Sequence, residues 1–122
     1  DDLHLLAALG YFFERRGWRV SRAPEGRTGV ELYDRDAPDV VVTDLEMPGL
    51  SGLDVVSVLR ARDPEAVVLV LTGHGDVATA VEALQRGAEN FLTKPVDYTH
   101  LEVATARALE KALLRRLIEV ST

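Results

Sequence analysis

Three polar residues stand at the ends of three apolar runs, and their types suit chemistry on a phosphoryl group. Asp44 ends a β-branched run, Thr72 follows the next apolar run, and Lys94 ends the third. Two more acids, Asp1 and Asp2, stand just before the first helical stretch. Because the carboxyl ends of parallel strands meet at one edge of a sheet, we expect these side chains to lie close together.

Each of these residues also has a plain structural role, since a strand-end aspartate is often a turn former and threonine favours strands. Together, however, these residues can form one functional site. Converging carboxylates repel one another unless a hard cation lies between them, and oxygen ligands in an incomplete cage favour Mg²⁺. Lys94 is one of two lysines against twelve arginines, and it precedes Pro95. A carboxylate, a metal, an ammonium and a hydroxyl are the groups that an aspartyl-phosphate site requires.

The elements that would position these groups alternate along the chain. Apolar residues at helical spacing, with capping and stop residues, predict five helices, at 3–16, 25–35, 51–63, 76–87 and 97–120. Apolar runs predict four strands, at 18–20, 39–44, 66–71 and 90–94. Helices alternating with strands are typical of a doubly wound α/β fold with a parallel sheet.

Length and composition restrict the class of protein. The chain has 122 residues, which is the size of one domain, and it has no cysteine to form a disulfide or a zinc site. Its formal net charge of −6 argues against direct nucleic-acid binding. It has no apolar run of membrane length and does not begin with a signal peptide. These features predict a soluble intracellular domain.

Three motifs in order resemble the receiver domain of two-component response regulators. The segment Asp44-Leu45-Glu46-Met47-Pro48-Gly49-Leu50-Ser51-Gly52 is similar to the phosphoacceptor strand and its Met-Pro turn, and Leu71-Thr72-Gly73-His74-Gly75-Asp76 to the switch-threonine segment. Gly87-Ala88-Glu89-Asn90-Phe91-Leu92-Thr93-Lys94-Pro95 is similar to the last strand. The intervals of 28 and 22 residues between Asp44, Thr72 and Lys94 fit that family, and the resemblance covers the whole chain. The second motif is most similar to receivers of nitrogen-fixation and nitrogen-assimilation regulators.

The resemblance implies a five-stranded flavodoxin-like (CheY-like) sheet and assigns a role to each matched residue. Asp44 would accept a phosphoryl group from a histidine kinase. Thr72 and Lys94 would contact the phosphoryl oxygens, and Phe91 would be the aromatic switch. Mg²⁺ would be bound by Asp44, the backbone carbonyl of Glu46 and Asp1, with Asp2 a weaker candidate.

The beginning of the chain departs from the family pattern, which has a central strand before an acidic pair. One alignment makes Asp1 the second acid of that pair and Asp2 the residue after it. The other makes Asp1 and Asp2 the pair, with one residue deleted from the first helix. Under the first alignment, which we favour, the natural chain is expected to continue upstream with a short strand and the first acid.

Two other functions would use the same residues. A receiver-like interaction module would keep the fold without phosphorylation. A phosphatase with an aspartate nucleophile would use Glu46 as the general acid, but the Met47-Pro48 turn argues against turnover, so a phosphoacceptor rather than an enzyme is predicted. Glu46 and His74, each two residues beyond a site residue, are candidates for controlling dephosphorylation, with plain solvent exposure as the alternative.

The last predicted helix, about 97–120, is longer than the sheet needs and carries an apolar stripe towards its end. It either lies along the domain or leads to a second copy or an output domain. The resemblance implies a cytoplasmic protein with a sensor histidine kinase as partner and a phosphorylation-dependent homodimer. It also implies a downstream output domain of DNA-binding or sigma54-ATPase type.

Overall fold

The computed structural model of the protein describes residues 2–46, 50–73 and 76–121. Within them, five helices alternate with three strands, except that two helices precede the first strand. In chain order the elements are α1 (Asp2–Arg15), α2 (Gly26–Asp36), β1 (Val41–Asp44), α3 (Gly52–Arg62), β2 (Val68–Thr72), α4 (Val77–Gln85), β3 (Asn90–Thr93) and α5 (Tyr98–Ser121). All five predicted helices are therefore confirmed, with ends that differ by one or two residues. In the described part of the chain, no helix is long and apolar enough to cross a membrane.

The three strands form a parallel sheet in the order β1-β2-β3. Asp44 at the end of β1 is in register with Leu71, and Thr72 at the end of β2 is in register with Thr93. Lys94 is the next residue after β3. The register therefore brings the three polar strand ends to one edge of the sheet, as the sequence predicts.

Two apolar clusters cover the two faces of the sheet. Val68 and Val70 of β2 pack with residues of α2, α3 and α4, whereas Leu69 and Leu71 pack with residues of α1 and α5. All five residues of β2 are buried, which explains why its sequence is continuously apolar rather than alternating. Burying each such side chain contributes about 1.5–3 kcal/mol, so β2 is the anchor of the fold.

Capping residues set the beginnings of the helices next to the sheet edge. The Ser51 hydroxyl accepts a hydrogen bond from the Asp54 amide at 3.2 Å, and the Asp76 carboxylate accepts one from Thr79 at 3.3 Å. Asp97 accepts bonds from the amides of Thr99 and His100 at 3.0 and 3.2 Å. Each of these capping residues follows a strand end of the site.

The strand predicted at residues 18–20 is wrong, because residues 18–23 have no regular secondary structure. Trp18 packs its ring on Phe13 of α1 at 5.8 Å, and Arg22 pairs with Glu14. A cavity of about 980 Å³ is lined both by this segment and by β1. A strand needs a partner about 4.8 Å away, and in the described sheet β1 is an edge strand that pairs with β2 alone. The described residues therefore form three strands rather than the five of the predicted sheet.

Candidate functional site

Asp44 lies at the carboxyl end of β1, with its side chain 10% exposed. Its Oδ2 accepts a hydrogen bond from Lys94 Nζ at 2.5 Å, and its Oδ1 accepts one from the backbone amide of Glu46 at 2.8 Å. The carboxylate is thus held at a fixed orientation by one charged and one neutral donor. A carboxylate that is nearly buried and reached from one side is suited to accept an electrophile.

Lys94 reaches Asp44 across the end of the central strand. Its backbone amide donates to the Thr72 carbonyl at 2.8 Å, which fixes the residue beside β2, and the peptide bond to Pro95 is cis. Its side chain is 24% exposed, so the pair with Asp44 is partly shielded from water. Charge-assisted bonds of this kind are stronger than neutral ones, and removing one partner leaves a partly buried charge uncompensated.

Thr72 lies at the end of β2, between the strands that carry Asp44 and Lys94. It is 1% exposed, and its hydroxyl donates to the Gly73 carbonyl at 3.5 Å. A bond of that length is weak, so little energy holds the hydroxyl in its present direction. The hydroxyl is therefore a donor that can turn to a new acceptor at this edge of the sheet.

Glu46 lies over the segment that contains Thr72. Its Oε1 is 3.1 Å from the position that a Cβ atom on Gly73 would occupy, so its exposed side chain reaches from the β1 end to the β2 end. This places a carboxylate above the site, on the solvent side. The other candidate for controlling dephosphorylation, His74, lies outside the described residues.

Phe91 lies in β3, in register with Val70. It is half-buried and packs against the cluster formed by α2, α3 and α4. It therefore lies three residues before Lys94, which directly follows β3. Any displacement of β3 moves both residues together.

Gly52, the last residue of the acceptor motif, has a packing role that the motif alone does not predict. A Cβ atom there would lie 2.5 Å from the Asp44 carbonyl and 2.6 Å from Leu45 Cα. Contacts this short are not possible, so α3 can begin directly behind Asp44 because position 52 has no side chain. The signal in the sequence is a glycine immediately after the helix-capping Ser51, in the segment that follows the acceptor.

The structure brings together Asp44, Lys94, Thr72 and Glu46 at one edge of the sheet. Asp1 lies outside the described residues, and so does the side chain of Asp2 at the start of α1. Within the ranges described, no group of three or more histidine, cysteine or acidic side chains is placed to hold a metal ion. The described carboxylates at this edge are those of Asp44 and Glu46, and oxygen donors of this kind suit a hard cation.

Comparison with known proteins places the chain in a family. The family model described as response regulator receiver domain matches residues 1–106. The chain is 38% identical over 118 residues to the C4-dicarboxylate transport transcriptional regulatory protein DctD of Pseudomonas aeruginosa, covering 97% of this chain and 25% of that protein. It is 41% identical over 97 residues to the photosynthetic apparatus regulatory protein RegA of Rhodobacter capsulatus, covering 80% and 53%.

Solved structures show the same likeness. A response regulator receiver domain protein from Clostridium thermocellum has a TM-score of 0.82 at 32% identity, over 97% of this chain and 93% of that one. NtrX from Brucella abortus, solved with ADP, has a TM-score of 0.90 at 29% identity, over 98% of this chain and 28% of that one. These likenesses confirm the predicted flavodoxin-like α/β fold class. The chain spans about a quarter of DctD and about half of RegA.

Proposed function

The chain belongs to the response regulator receiver domains of two-component systems, and on that premise we propose that it is a switch that accepts a phosphoryl group on Asp44. The observation that carries the proposal is the contact between Lys94 Nζ and Asp44 Oδ2 at 2.5 Å, beside the buried Thr72. A carboxylate with an ammonium and a loosely held hydroxyl at the same sheet edge can take a phosphoryl group and bind its oxygens.

In the proposed reaction, an Asp44 oxygen attacks phosphorus of a phosphohistidine on a sensor histidine kinase. A P–O bond forms while the P–N bond breaks, and the electron pair of that bond stays on the kinase imidazole. Lys94 then moves its hydrogen bond from the carboxylate to a phosphoryl oxygen, which offsets the negative charge that arrives. The Thr72 hydroxyl turns from Gly73 to another of these oxygens.

We assign Mg²⁺ to the Asp44 carboxylate and the Glu46 backbone carbonyl, with the acids at the start of the chain, Asp1 and Asp2, completing the set. These donors fit the ion because they are oxygen atoms in an incomplete cage. Bound there, Mg²⁺ would neutralise charge on the transferring phosphoryl group. The chain's own residues orient the acceptor: Glu46 through its amide on Oδ1, and Gly52 through the close approach of α3.

The proposed output of the switch is a change on the face formed by α4, β3 and α5. As Thr72 turns towards the phosphoryl group, the half-buried Phe91 turns inward into the space that Thr72 leaves. Three apolar residues of α4, namely Val77, Val81 and Leu84, are 69%, 45% and 40% exposed on this face. We propose that a second copy covers them in a phosphorylation-dependent homodimer, because exposed apolar residues in one helical row favour association.

The relatives suggest what the switch controls. DctD is named as a transcriptional regulatory protein, and this chain matches a quarter of its length. We propose that the switch acts in the cytoplasm on a downstream output domain, either DNA-binding or of the sigma54-ATPase type. In this scheme the domain is a phosphoacceptor that gains and then loses one phosphoryl group on Asp44, rather than an enzyme that turns over a substrate.

Glu46 and His74 are proposed to set the lifetime of the phosphorylated form. The Glu46 side chain lies over the Thr72–Gly73 segment, on the side from which water would reach an acyl phosphate. Replacing either residue with alanine is expected to change the rate of phosphate loss from the labelled protein. Unchanged lifetimes in both variants would mean that the two residues are simply exposed to solvent.

Labelling with acetyl phosphate and Mg²⁺ tests the proposed function. The wild-type chain should take up one acid-stable, base-labile phosphoryl group, and Asp44→Asn should take up none. Asp34→Asn is the matched control, since Asp34 is an exposed aspartate whose ion pair with Arg62 lies away from the site. Equal labelling of wild type and Asp44→Asn would reject Asp44 as acceptor, and no labelling at all would favour an interaction module that is not phosphorylated.

A further inference from the structure

The last turns of α5 carry apolar side chains that the domain does not bury. Among the side chains of the helix that the structure describes, Ala112 is the last buried one, and Leu113, Leu114 and Ile118 beyond it are 46%, 51% and 65% exposed. An output element that senses the state of the domain through α5 would contact these turns. A switch could therefore act by changing the direction of these last turns of α5 relative to the sheet.

One carboxylate ties these turns to the sheet. Glu89 accepts a hydrogen bond from Lys111 Nζ at 2.5 Å on Oε2 and another from Arg115 Nη2 at 3.2 Å on Oε1. Lys111 and Arg115 are four residues apart, so they lie on the same side of α5 and converge on the same acid. The Glu89 and Arg115 side chains are 20% and 25% exposed, so this pair is partly shielded from water, whereas the Lys111 side chain is 53% exposed.

Arg115 extends the attachment to β2. Its Nη1 lies 3.5 Å from the carbonyl oxygens of Glu65 and Ala66, just before that strand. The end of α5 is thus attached to the amino ends of the two strands whose carboxyl ends hold Thr72 and Lys94. A planar guanidinium with several donors can hold such a position in a way that a single point charge cannot.

Glu89 itself directly precedes β3, the strand that contains Phe91, the proposed aromatic switch. Its backbone amide donates to the Val68 carbonyl at 2.7 Å, and it stands two residues before Phe91 and between the end of α4 and the start of β3. A shift of β3 or of the end of α4 therefore moves the Glu89 carboxylate. Lys111 and Arg115 follow that carboxylate if the ion pairs persist.

We propose that Glu89 is the coupling residue that transmits the phosphorylation state from β3 to the last turns of α5, through Lys111 and Arg115. The proposal rests on the switch function above, and it adds the contact through which the signal reaches α5. It makes Glu89 a positioning residue, since the carboxylate lies at the opposite end of β3 from Lys94. The apolar turns around Leu113, Leu114 and Ile118 are then the surface whose direction changes.

A second ion pair on the same helix serves as the matched control. Arg116 Nη1 pairs with Asp39 Oδ1 at 2.6 Å, and this acid precedes β1 rather than β3. The Arg116 and Asp39 side chains are 51% and 41% exposed. This pair also attaches α5 to the sheet, but not to the strand that carries Phe91. Coupling through β3 therefore predicts different effects for the two pairs, whereas general loosening of α5 predicts similar ones.

Hydrogen exchange on the full chain, with and without beryllofluoride and Mg²⁺, tests the proposal. In wild type, beryllofluoride should change the exchange of amides in 109–121. In Glu89→Gln, which keeps the shape and removes the charge, that change should fall by at least about half, because both ion pairs between Glu89 and α5 are lost. Lys111→Gln should act in the same direction. Asp39→Asn should keep the wild-type change.

Exchange of amides near Thr72 and Lys94 reports beryllofluoride binding itself. If that region responds in Glu89→Gln as in wild type while the α5 response is lost, the coupling role is supported. An α5 response equal to wild type in Glu89→Gln, or lost equally in Asp39→Asn, would overturn it. Absence of any response near Thr72 in wild type would instead contradict the proposed function.

Discussion

At the carboxyl end of the sheet an ion pair between Asp44 and Lys94 joins the outer strands, whereas the amino end is held by many polar contacts. At the amino end the Tyr33 hydroxyl donates to Asp63 at 2.7 Å, and Arg60 donates to the carbonyls of Pro64 and Ala66 at 2.5 and 3.1 Å. The clusters around Glu89 and Asp39 lie at the same end. Side chains at the amino end are therefore fixed by more polar contacts than those at the carboxyl end.

This difference fits a switch that is built on a rigid base. The buried β2 connects the two ends, and its apolar residues leave little freedom for the middle of the sheet. Thr72, with its hydroxyl bond of 3.5 Å, can change partner at low cost, while the residues at the amino end keep theirs. Under the proposed coupling, movement that starts at the carboxyl end would be passed along β3 rather than lost in a general loosening.

The largest effect is expected from Lys94→Ala, which removes the cation at the carboxyl end. The initial rate of labelling by acetyl phosphate should fall by about 10²-fold, since a charged donor to the phosphoryl oxygens is lost. The chain's other lysine offers a matched control, and Lys111→Ala should label at the wild-type rate, because Lys111 pairs with Glu89 at the amino end. A Lys94→Ala protein that labels as fast as Lys111→Ala would contradict the role of Lys94.

Thr72→Ala should separate phosphorylation from the switch. The label should still appear on Asp44, because Lys94 remains, but the beryllofluoride-induced change in α5 exchange should be lost. Coupling between sites in proteins is typically about 1–3 kcal/mol, and this variant removes the donor proposed to carry it. Thr72→Ser keeps the hydroxyl and should restore the response. If Thr72→Ala responds like wild type, the switch does not use this hydroxyl.

Tyr33→Phe should affect stability and leave the labelling rate unchanged. It removes the hydrogen bond to Asp63, so the free energy of unfolding in urea should fall by about 1 kcal/mol. A labelling rate that falls along with stability would show that the two ends of the sheet are not independent. Tyr11→Phe, at an exposed tyrosine, is the control for the loss of a hydroxyl group.

The same tyrosine gives the smallest expected effect, which is a dependence of stability on pH. Burial, followed by the hydrogen bond and the charge of Asp63, raises the pKa of Tyr33 above its ordinary value of 10.0. The unfolded chain therefore loses this proton first, and the stabilisation is complete below pH 10 and declines as the pH rises above it. Urea unfolding between pH 9 and 11 should show a steeper decline in wild type than in Tyr33→Phe. If the stabilities of wild type and Tyr33→Phe declined in parallel over this pH range, the proposed contribution of Tyr33 would be contradicted.

Much of the site could be predicted from the sequence, because it depends on where apolar runs end. Asp44, Thr72 and Lys94 each follow or end such a run, and a parallel sheet must bring them together. The absence of a strand at 18–20 could not be predicted from apolar runs. Alternation in a short run indicates a propensity for extended backbone, but it does not show whether a neighbouring strand is available for pairing. The Glu89 cluster depends on the angle at which α5 crosses the sheet, and no local pattern specifies that angle.

The central claim is that Asp44 carries the phosphoryl group, and the most direct test is chemical identification of the acceptor. Borohydride reduces an aspartyl phosphate to homoserine, so the wild-type chain, treated with acetyl phosphate and Mg²⁺ and then reduced, should show homoserine at position 44 by peptide mass mapping. The unphosphorylated protein should keep aspartate there. Homoserine at another aspartate, with Asp44 unchanged, would contradict the account.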